Sequence, residues 1–152
     1  MVAPATPPAC RVPLIATALA PLPDRILIVE DDAVLGLALE AALADAGAKD
    51  VEICASTEQA LGALKRERPD AIVLDVHLAD RDDGWAIAEL VKTLGPDSPR
   101  IVFSTGRPED IPEAIAELGE ILAKPYDSDT LVAMLREPKR RGIMSRLRGK
   151  LR

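Results

Sequence analysis

Three acidic residues, a threonine and a lysine follow short apolar runs at well-separated places in this chain. They are Glu30, Asp31, Asp75, Thr105 and Lys124. Apolar runs without polar alternation are typical of strands that are buried on both faces of a parallel sheet. The carboxyl ends of such strands share one edge of the sheet, where ligands bind. We therefore predict that the five side chains converge on a single site.

The residue types at this predicted site suit phosphoryl transfer. Clustered carboxylates raise one another's pKa unless a cation lies among them, and oxygen donors without cysteine favour a hard ion such as Mg²⁺. Lys124 offers a positive charge to a phosphoryl oxygen, and Thr105 offers a hydroxyl donor. Aspartate is an established nucleophile that forms acyl phosphates. We predict that Asp75 carries the phosphoryl group.

Five strands and five helices are predicted to position these residues. The strands are expected at 25–29, 51–55, 71–74, 101–104 and 121–123. The helices are expected after Asp32, after Ser56, at 85–94, at about 112–118, and from Asp127 or Ser128 to about Arg136. Asp32 is interpreted as a helix N-cap rather than a metal ligand, and Gly47 as the end of the first helix. Alternating strands and helices predict an α/β fold with a doubly wound parallel sheet.

The flanks differ in character from this central region. Residues 1–24 contain six prolines and are predicted to be an unstructured extension; residues 25–136 form the domain, and 137–152 a basic tail. Neither flank is long enough to build a DNA-binding module. In the tail, Ile143, Leu147 and Leu151 recur every four residues among basic ones. As a helix it would suit an anionic membrane surface or an acidic partner, or it could fold back on the body; a frayed, solvated terminus is the alternative.

Composition excludes several classes of function. The net charge of -6 combines eight basic residues and one acidic residue at 136–152 with 11 basic and 24 acidic residues elsewhere. An acidic body with three aromatic residues argues against base stacking and nucleic-acid binding by the domain. No apolar run approaches the roughly 20 residues of a membrane span. Cys10 and Cys54 are expected to be reduced thiols of a cytoplasmic protein.

Four motifs in order resemble those of response-regulator receiver domains of bacterial two-component signalling. They are Ile-Leu-Ile-Val-Glu-Asp-Asp at 26–32, Val-Leu-Asp at 73–75, Phe-Ser-Thr-Gly at 103–106 and Ala-Lys-Pro-Tyr at 123–126. The resemblance covers about residues 25–136 and implies a flavodoxin-like, five-stranded parallel sheet of order 2-1-3-4-5. It implies a stand-alone, cytoplasmic aspartyl-phosphate switch rather than a turnover enzyme.

The resemblance also assigns roles to individual residues. It implies that Asp31 binds Mg²⁺ directly, that Glu30 acts through water, and that His77 supplies its backbone carbonyl while its side chain is inert. Asp75 would be both metal ligand and phosphoacceptor. Thr105 and Lys124 would bind the phosphoryl oxygens, and the Lys124–Pro125 bond would be cis. The phosphoryl donor would be a sensor histidine kinase or a phosphotransfer protein, and the output a protein bound at the face of strand 4, helix 4 and strand 5.

The sequence departs from the family pattern in places. Ile121 replaces the usual aromatic switch residue, which puts that mechanism in doubt, and is expected to serve only packing. Ala79 and the late Gly84 indicate a remodelled loop. Phe103-Ser104-Thr105-Gly106 resembles the Phe-Ala-Thr-Gly motif of alphaproteobacterial single-domain receivers, which are associated with HWE-type kinases.

Four other functions compete with this switch. A phosphate shuttle or sink would use the same chemistry, and an unphosphorylated pseudo-receiver would act as a scaffold. An aspartate-nucleophile hydrolase needs a second acid at the position of His77 and is nearly excluded. A nucleotide-binding enzyme is disfavoured because the glycine motifs that cradle phosphates are missing from the sequence.

Overall fold

Five parallel strands alternate with five α-helices in the computed structural model, which describes residues 20–78, 85–95 and 97–138. The strands are β1 (Arg25–Val29), β2 (Asp50–Cys54), β3 (Ala71–Asp75), β4 (Arg100–Thr105) and β5 (Glu120–Ala123). The helices are α1 (Ala33–Asp45), α2 (Thr57–Arg66), α3 (Trp85–Lys92), α4 (Glu113–Ala116) and α5 (Ser128–Arg136). A 3₁₀ turn, Pro108–Asp110, precedes α4.

The sheet has the order β2-β1-β3-β4-β5, and every pairing is parallel. Val29 of β1 is in register with Leu74 of β3, and Leu74 with Phe103 of β4. The carboxyl ends of the three central strands therefore reach the same edge of the sheet. The predicted α/β doubly wound fold and its strand order are confirmed.

The two faces of the sheet carry separate apolar cores. Because side chains alternate along a strand, Leu27, Ile72 and Phe103 point to the face that α2, α3 and α4 cover. Ile28 and Val73 point to the other face, which α1 and α5 cover. β1, β3 and β4 each contribute to both layers, and this explains why their sequences lack an alternating polar residue.

Local sequence signals start and end the helices as predicted. The Asp32 side chain caps α1 by accepting from the Val34 and Leu35 N–H groups, and the Ser56 hydroxyl caps α2. Gly47, just after α1, has a φ of 108°; glycine adopts this left-handed region without steric cost. The prediction that Asp32 is an N-cap is confirmed.

The segment between β4 and β5 differs from the prediction of one helix at about 112–118. It forms the 3₁₀ turn followed by the four residues of α4. Pro112 is the N-cap of α4, and Gly119 lies just before β5. Pro112 limits this segment at one end. At the other end the backbone at Gly119 passes close to the Ile101 carbonyl, so only a single helical turn fits between them.

Arg100 begins β4 one residue earlier than predicted, and it is 6% exposed. Its guanidinium pairs with Glu120 at 2.6 Å and donates to the carbonyl of Met134 at 2.6 Å. It also donates to the carbonyls of Leu135 and Glu137 at the end of α5. The last carbonyls of a helix lack partners within the helix, so Arg100 fastens the end of α5 to β4 and β5.

The predicted flanks lie largely outside the described residues. The predictions for residues 1–19 of the extension, which include Cys10, fall outside the described residues. The same holds for loop positions 79–84 and for residues 139–152 of the tail. Leu22, which is described, is buried against the α1–α5 core. Cys54 is a buried free thiol. No helix in the described part of the chain is long and apolar enough to cross a bilayer.

Candidate functional site

Three carboxylates meet at the carboxyl edge of the sheet. Oxygens of Glu30, Asp31 and Asp75 all lie within 4.8 Å of one another. Glu30 and Asp75 are 3% and 5% exposed, whereas Asp31 is exposed. Parallel strands bring these residues together, since Glu30 and Asp31 directly follow β1 and Asp75 ends β3. The predicted convergence of the three acids is present in the structure.

Lys124 lies between two of these acids. Its Nζ is 3.2 Å from Glu30 Oε2 and 3.4 Å from Asp75 Oδ2. Lys124 follows β5, and the bond to Pro125 is cis. Among the described residues, the site therefore combines three carboxylates and one ammonium group, and these four groups together carry an excess of negative charge when all are ionised.

The pKa values reflect this crowding. Burial raises the pKa of Glu30 to about 7; the Asp75 charge adds to the rise, while the Asp32 N–H and Lys124 oppose it. Burial alone would lower the pKa of Lys124, but Asp75 and Glu30 outweigh it and hold that pKa above its usual value. The Lys124 ammonium thus compensates the Glu30 carboxylate only in part.

The donor set fits a small divalent cation. Mg²⁺ binds oxygen at about 2.0–2.1 Å and keeps several waters, so oxygens on one ion lie at most about 4.2 Å apart. Carboxylate oxygens that lie within 4.8 Å of one another can serve one such ion, either directly or through its waters. The described residues near the cluster offer oxygen donors rather than thiols, which also favours Mg²⁺ over softer metals.

His77 contributes to the site through its backbone. Its N–H donates to Asp75 Oδ1 at 3.0 Å, and the residue is exposed. Asp75 is thus held by the His77 N–H on one oxygen and faces Lys124 with the other. The role of the His77 carbonyl as a metal ligand stays a prediction.

Thr105 lies at the same edge of the sheet, but its hydroxyl has a local partner. Thr105 is fully buried at the end of β4, and its Oγ1 accepts from the Arg107 N–H at 3.0 Å. Its carbonyl accepts from the Lys124 N–H at 2.7 Å. The backbone thus joins Thr105 to Lys124, while the acids and the ammonium form the cluster itself.

A contact beside the site was not predicted. Ser104 Oγ and Tyr126 OH are 2.9 Å apart; burial raises the pKa of the Tyr126 phenol, which the Ser104 contact partly offsets. Both residues stand in the motifs that contain Thr105 and Lys124, and this placement is the signal that could have identified them.

Ile121 differs from its prediction as a packing residue, because it is 37% exposed. It is in register with Phe103, which is fully buried under α4. β5 is an edge strand, and α4 has only four residues. The helix α4 therefore does not extend over Ile121. An apolar side chain on β5 therefore faces solvent.

Comparisons with known proteins agree with this geometry. The family model described as the response regulator receiver domain matches residues 26–136. Response regulator MprA of Mycolicibacterium vanbaalenii is 34% identical over 124 residues, which is 79% of this chain and 52% of that protein. The chain thus spans about half the length of the curated relatives it matches.

Solved structures show the same architecture. A CheY-like response regulator receiver domain from Methylobacillus flagellatus has a TM-score of 0.65 at 26% identity, covering 73% of this chain and 94% of its own. A two-component response regulator from Clostridium difficile has a TM-score of 0.63 at 26% identity, with coverage of 73% and 91%. By family model, sequence and fold, the chain belongs to the response regulator receiver domains of two-component signalling.

Proposed function

We propose that this chain is a Mg²⁺-dependent phosphoacceptor whose Asp75 takes a phosphoryl group from a phosphohistidine. The observation that carries the proposal is the position of the Asp75 carboxylate. It is buried at the end of β3, 3.4 Å from Lys124, among the carboxylates of Glu30 and Asp31. An aspartate in a purely structural ion pair would not need the two further acids.

The proposed step is an in-line transfer. An oxygen of Asp75 attacks phosphorus, the bond between phosphorus and the donor histidine nitrogen breaks, and that nitrogen keeps the electron pair and takes up a proton. The products are an acyl phosphate at Asp75 and a neutral histidine on the donor. Phosphoryl transfer depends mainly on positioning and charge stabilisation, which is what the surrounding side chains supply.

The residues of this chain have separate tasks in that step. The His77 N–H holds one oxygen of Asp75 and so orients the carboxylate. The Lys124 ammonium compensates the charge on a transferring phosphoryl oxygen. Glu30, Asp31 and Asp75 would hold Mg²⁺, which when bound neutralises phosphoryl charge. The Thr105 hydroxyl, released from Arg107, would donate to another phosphoryl oxygen.

The proposed output is a change in protein binding at the face of β4, α4 and β5. If Thr105 moves toward the phosphoryl group, its backbone bond to Lys124 transmits the shift to β5. Ile121 already exposes an apolar side chain on this face. A local charge change that biases a two-state surface is the usual form of such switches. The HWE-type kinase, the stand-alone state and the cytoplasmic location remain predictions.

The test is intact-mass measurement after incubation with acetyl phosphate, with Mg²⁺ or with EDTA. We expect one added phosphoryl group on the wild-type chain with Mg²⁺ and none with EDTA or in Asp75→Asn. Asp129→Asn, at an exposed position of α5, is the matched control and should be modified like wild type.

Circular dichroism should show that Asp75→Asn keeps its fold. A phosphoryl group on Asp75→Asn, or none on wild type even with a phosphorylated kinase as donor, would contradict the proposal. The second result would favour a scaffold that is not phosphorylated. Transfer of the group from Asp75 back to a phosphotransfer protein would identify a shuttle rather than a terminal switch.

A further inference from the structure

The connection from β5 to α5 brings Lys124 to the carboxylate site. It consists of residues 124–127, and the ammonium of its first residue reaches Glu30 and Asp75 at 3.2 and 3.4 Å. Segments between strands and helices are generally more mobile than the elements they join, and a free lysine side chain has many rotamers. The position of the ammonium therefore depends on what holds this connection.

Hydrogen bonds to consecutive residues of β4 attach this connection to the sheet. The Lys124 N–H donates to the Thr105 carbonyl at 2.7 Å. Two residues further on, the Tyr126 hydroxyl lies 2.9 Å from Ser104 Oγ, and either hydroxyl can donate. These bonds lie on either side of Pro125, which has no N–H of its own. Ser104 and Tyr126 are here called the hydroxyl pair.

The hydroxyl pair lies on the side of the sheet that α1 and α5 cover. Side chains alternate along a strand, so Ser104 points to the face opposite Thr105, and it is 1% exposed. The half-buried ring of Tyr126 packs against the apolar core of that side. A buried hydroxyl without a partner is costly. The Ser104 hydroxyl therefore depends on Tyr126, whose ring is anchored in the core.

Packing alone does not require two hydroxyls at this place. Alanine and phenylalanine would fill nearly the same space without a polar group to satisfy, and replacing both partners of a buried hydrogen bond by apolar groups can be nearly neutral for stability. What the hydroxyl pair adds is a fixed distance between β4 and the residue two positions after Lys124.

The β4 side of the pair is also adjacent to the proposed nucleophile. Ser104 is in register with Asp75 of β3, and its carbonyl accepts from the Val76 N–H at 3.4 Å. The end of β4 therefore lies between the two groups that must cooperate in phosphoryl transfer. It is bonded to the chain directly after Asp75 on one side and to the connection that carries Lys124 on the other.

We propose that Ser104 and Tyr126 are positioning residues that hold the Lys124 ammonium at its distance from Asp75. Together with the backbone bond between Thr105 and Lys124, the hydroxyl pair fixes the connection, so that the ammonium faces an incoming phosphoryl oxygen instead of turning into solvent. This inference rests on the proposed phosphoacceptor function, because that function gives the ammonium its phosphoryl oxygen. Neither hydroxyl acts on the transferred group itself.

Amide hydrogen exchange, measured by NMR on the full chain, tests the positioning without any phosphorylation step. Tyr126→Phe removes the hydroxyl and keeps the ring. The Lys124 N–H should then exchange severalfold faster relative to the N–H groups of β1, because its attachment to β4 opens more often. Ser104→Ala should give the same result. The double variant should be no faster than either single variant, since each single change already breaks the same hydrogen bond.

Thr93→Val is the control for these changes. It removes an exposed hydroxyl just after α3, which donates to the Leu90 carbonyl at 2.6 Å. Exchange of the Lys124 N–H relative to β1 should stay at its wild-type value in this variant.

Acetyl phosphate labelling with Mg²⁺, followed by intact mass, measures the consequence for transfer. Tyr126→Phe should slow the labelling of the wild-type chain severalfold, because a misplaced charge stabilises the transferred group less well. The same change should leave the rate of Lys124→Ala unaltered, since the ammonium to be positioned is gone. A purely structural role of Tyr126 would slow both chains by the same factor.

Three results would overturn the proposal: unchanged exchange of the Lys124 N–H in Tyr126→Phe, equal acceleration at Lys124 and in β1, or labelling of Tyr126→Phe at the wild-type rate. If the wild-type chain takes up no label while the Lys124 N–H responds as expected, the phosphoacceptor function fails. The hydroxyl pair would in that case still position Lys124.

Discussion

Lys124 is the residue on which the electrostatics of the site depend. Its ammonium contacts Glu30 and Asp75 at 3.2 and 3.4 Å, and it is more exposed than either acid. It therefore compensates two buried carboxylates from the solvent side, where an incoming phosphoryl group would also arrive. In the proposed function, a group in this position would serve the transferred charge more than it serves the metal.

We expect Lys124→Ala to slow phosphoryl uptake by about 10²-fold, the usual cost of removing one charge-stabilising donor. Mg²⁺ binding should persist, because Glu30, Asp31 and Asp75 remain. The measurements are the time course of acetyl phosphate labelling by intact mass and a Mg²⁺ titration by calorimetry.

Lys49→Ala is the control for this change, because Lys49 is an exposed lysine paired with Asp24 at 3.2 Å, away from the carboxylate cluster. It should label like wild type. If Lys124→Ala lost Mg²⁺ binding but kept the wild-type labelling rate, the prediction would be wrong. Lys124 would then support metal binding rather than phosphoryl transfer.

At the scale of elements, the short connection from α4 to β5 is set by a close backbone approach. A Cβ on Gly119 would lie 2.5 Å from the Ile101 carbonyl oxygen and 3.0 Å from the Phe103 ring. A Cβ on Gly62, inside α2, would lie more than 4 Å from every atom outside the backbone of its own helix. The two glycines therefore offer opposite outcomes for the same substitution.

We expect Gly119→Ala to lower the free energy of unfolding by about 1–3 kcal/mol, since the clash is with backbone and β4 must shift. Gly62→Ala should raise it by up to about 1 kcal/mol, the difference in helix propensity between the two residues. Urea unfolding followed by circular dichroism measures both. Equal effects of the two substitutions would mean that the approach at Gly119 relaxes without cost.

The elements were predictable where local signals and burial agree. The apolar runs of β1, β3 and β4 and the caps at Asp32 and Ser56 identified their elements to within a residue or two. The segment at 107–119 was predicted only in part, because a single helical turn has no periodicity to detect. The burial of Arg100 was not predicted, because besides Glu120 its partners are carbonyls at the end of α5, and a sequence does not show where carbonyls need donors.

The site was more predictable than the surface around it. Parallel topology alone brings Glu30, Asp31, Asp75 and Lys124 together, so their spacing relative to strand ends carried the information. The exposure of Ile121 depends instead on how far α4 extends over β5. That is a property of packing between elements, and the sequence of β5 by itself suggested an ordinary buried position.

At the scale of the whole molecule, an acidic domain concentrates three carboxylates at one edge, and among the described residues Lys124 is placed to offset two of them. Folding must therefore bring like charges together, which works against stability unless a cation lies among them. A ligand that binds only the folded state adds RT ln(1 + [L]/Kd) to the free energy of unfolding. Metal binding at the edge of the sheet should thus be measurable as global stability.

We expect Mg²⁺ at ten times its Kd to stabilise the wild-type chain by about 1.4 kcal/mol, which raises Tm by a few degrees in a domain of this size. Asp31→Asn should abolish the rise, because it removes a carboxylate ligand. Asp32→Asn should keep it, since Asp32 accepts from the Val34 and Leu35 N–H groups and asparagine caps a helix equally well. Differential scanning calorimetry with Mg²⁺ and with EDTA compares the three chains. If the rise in Tm is lost in Asp32→Asn but not in Asp31→Asn, the Mg²⁺ ligand is Asp32 rather than Asp31. Asp32 would then both cap α1 and bind the metal.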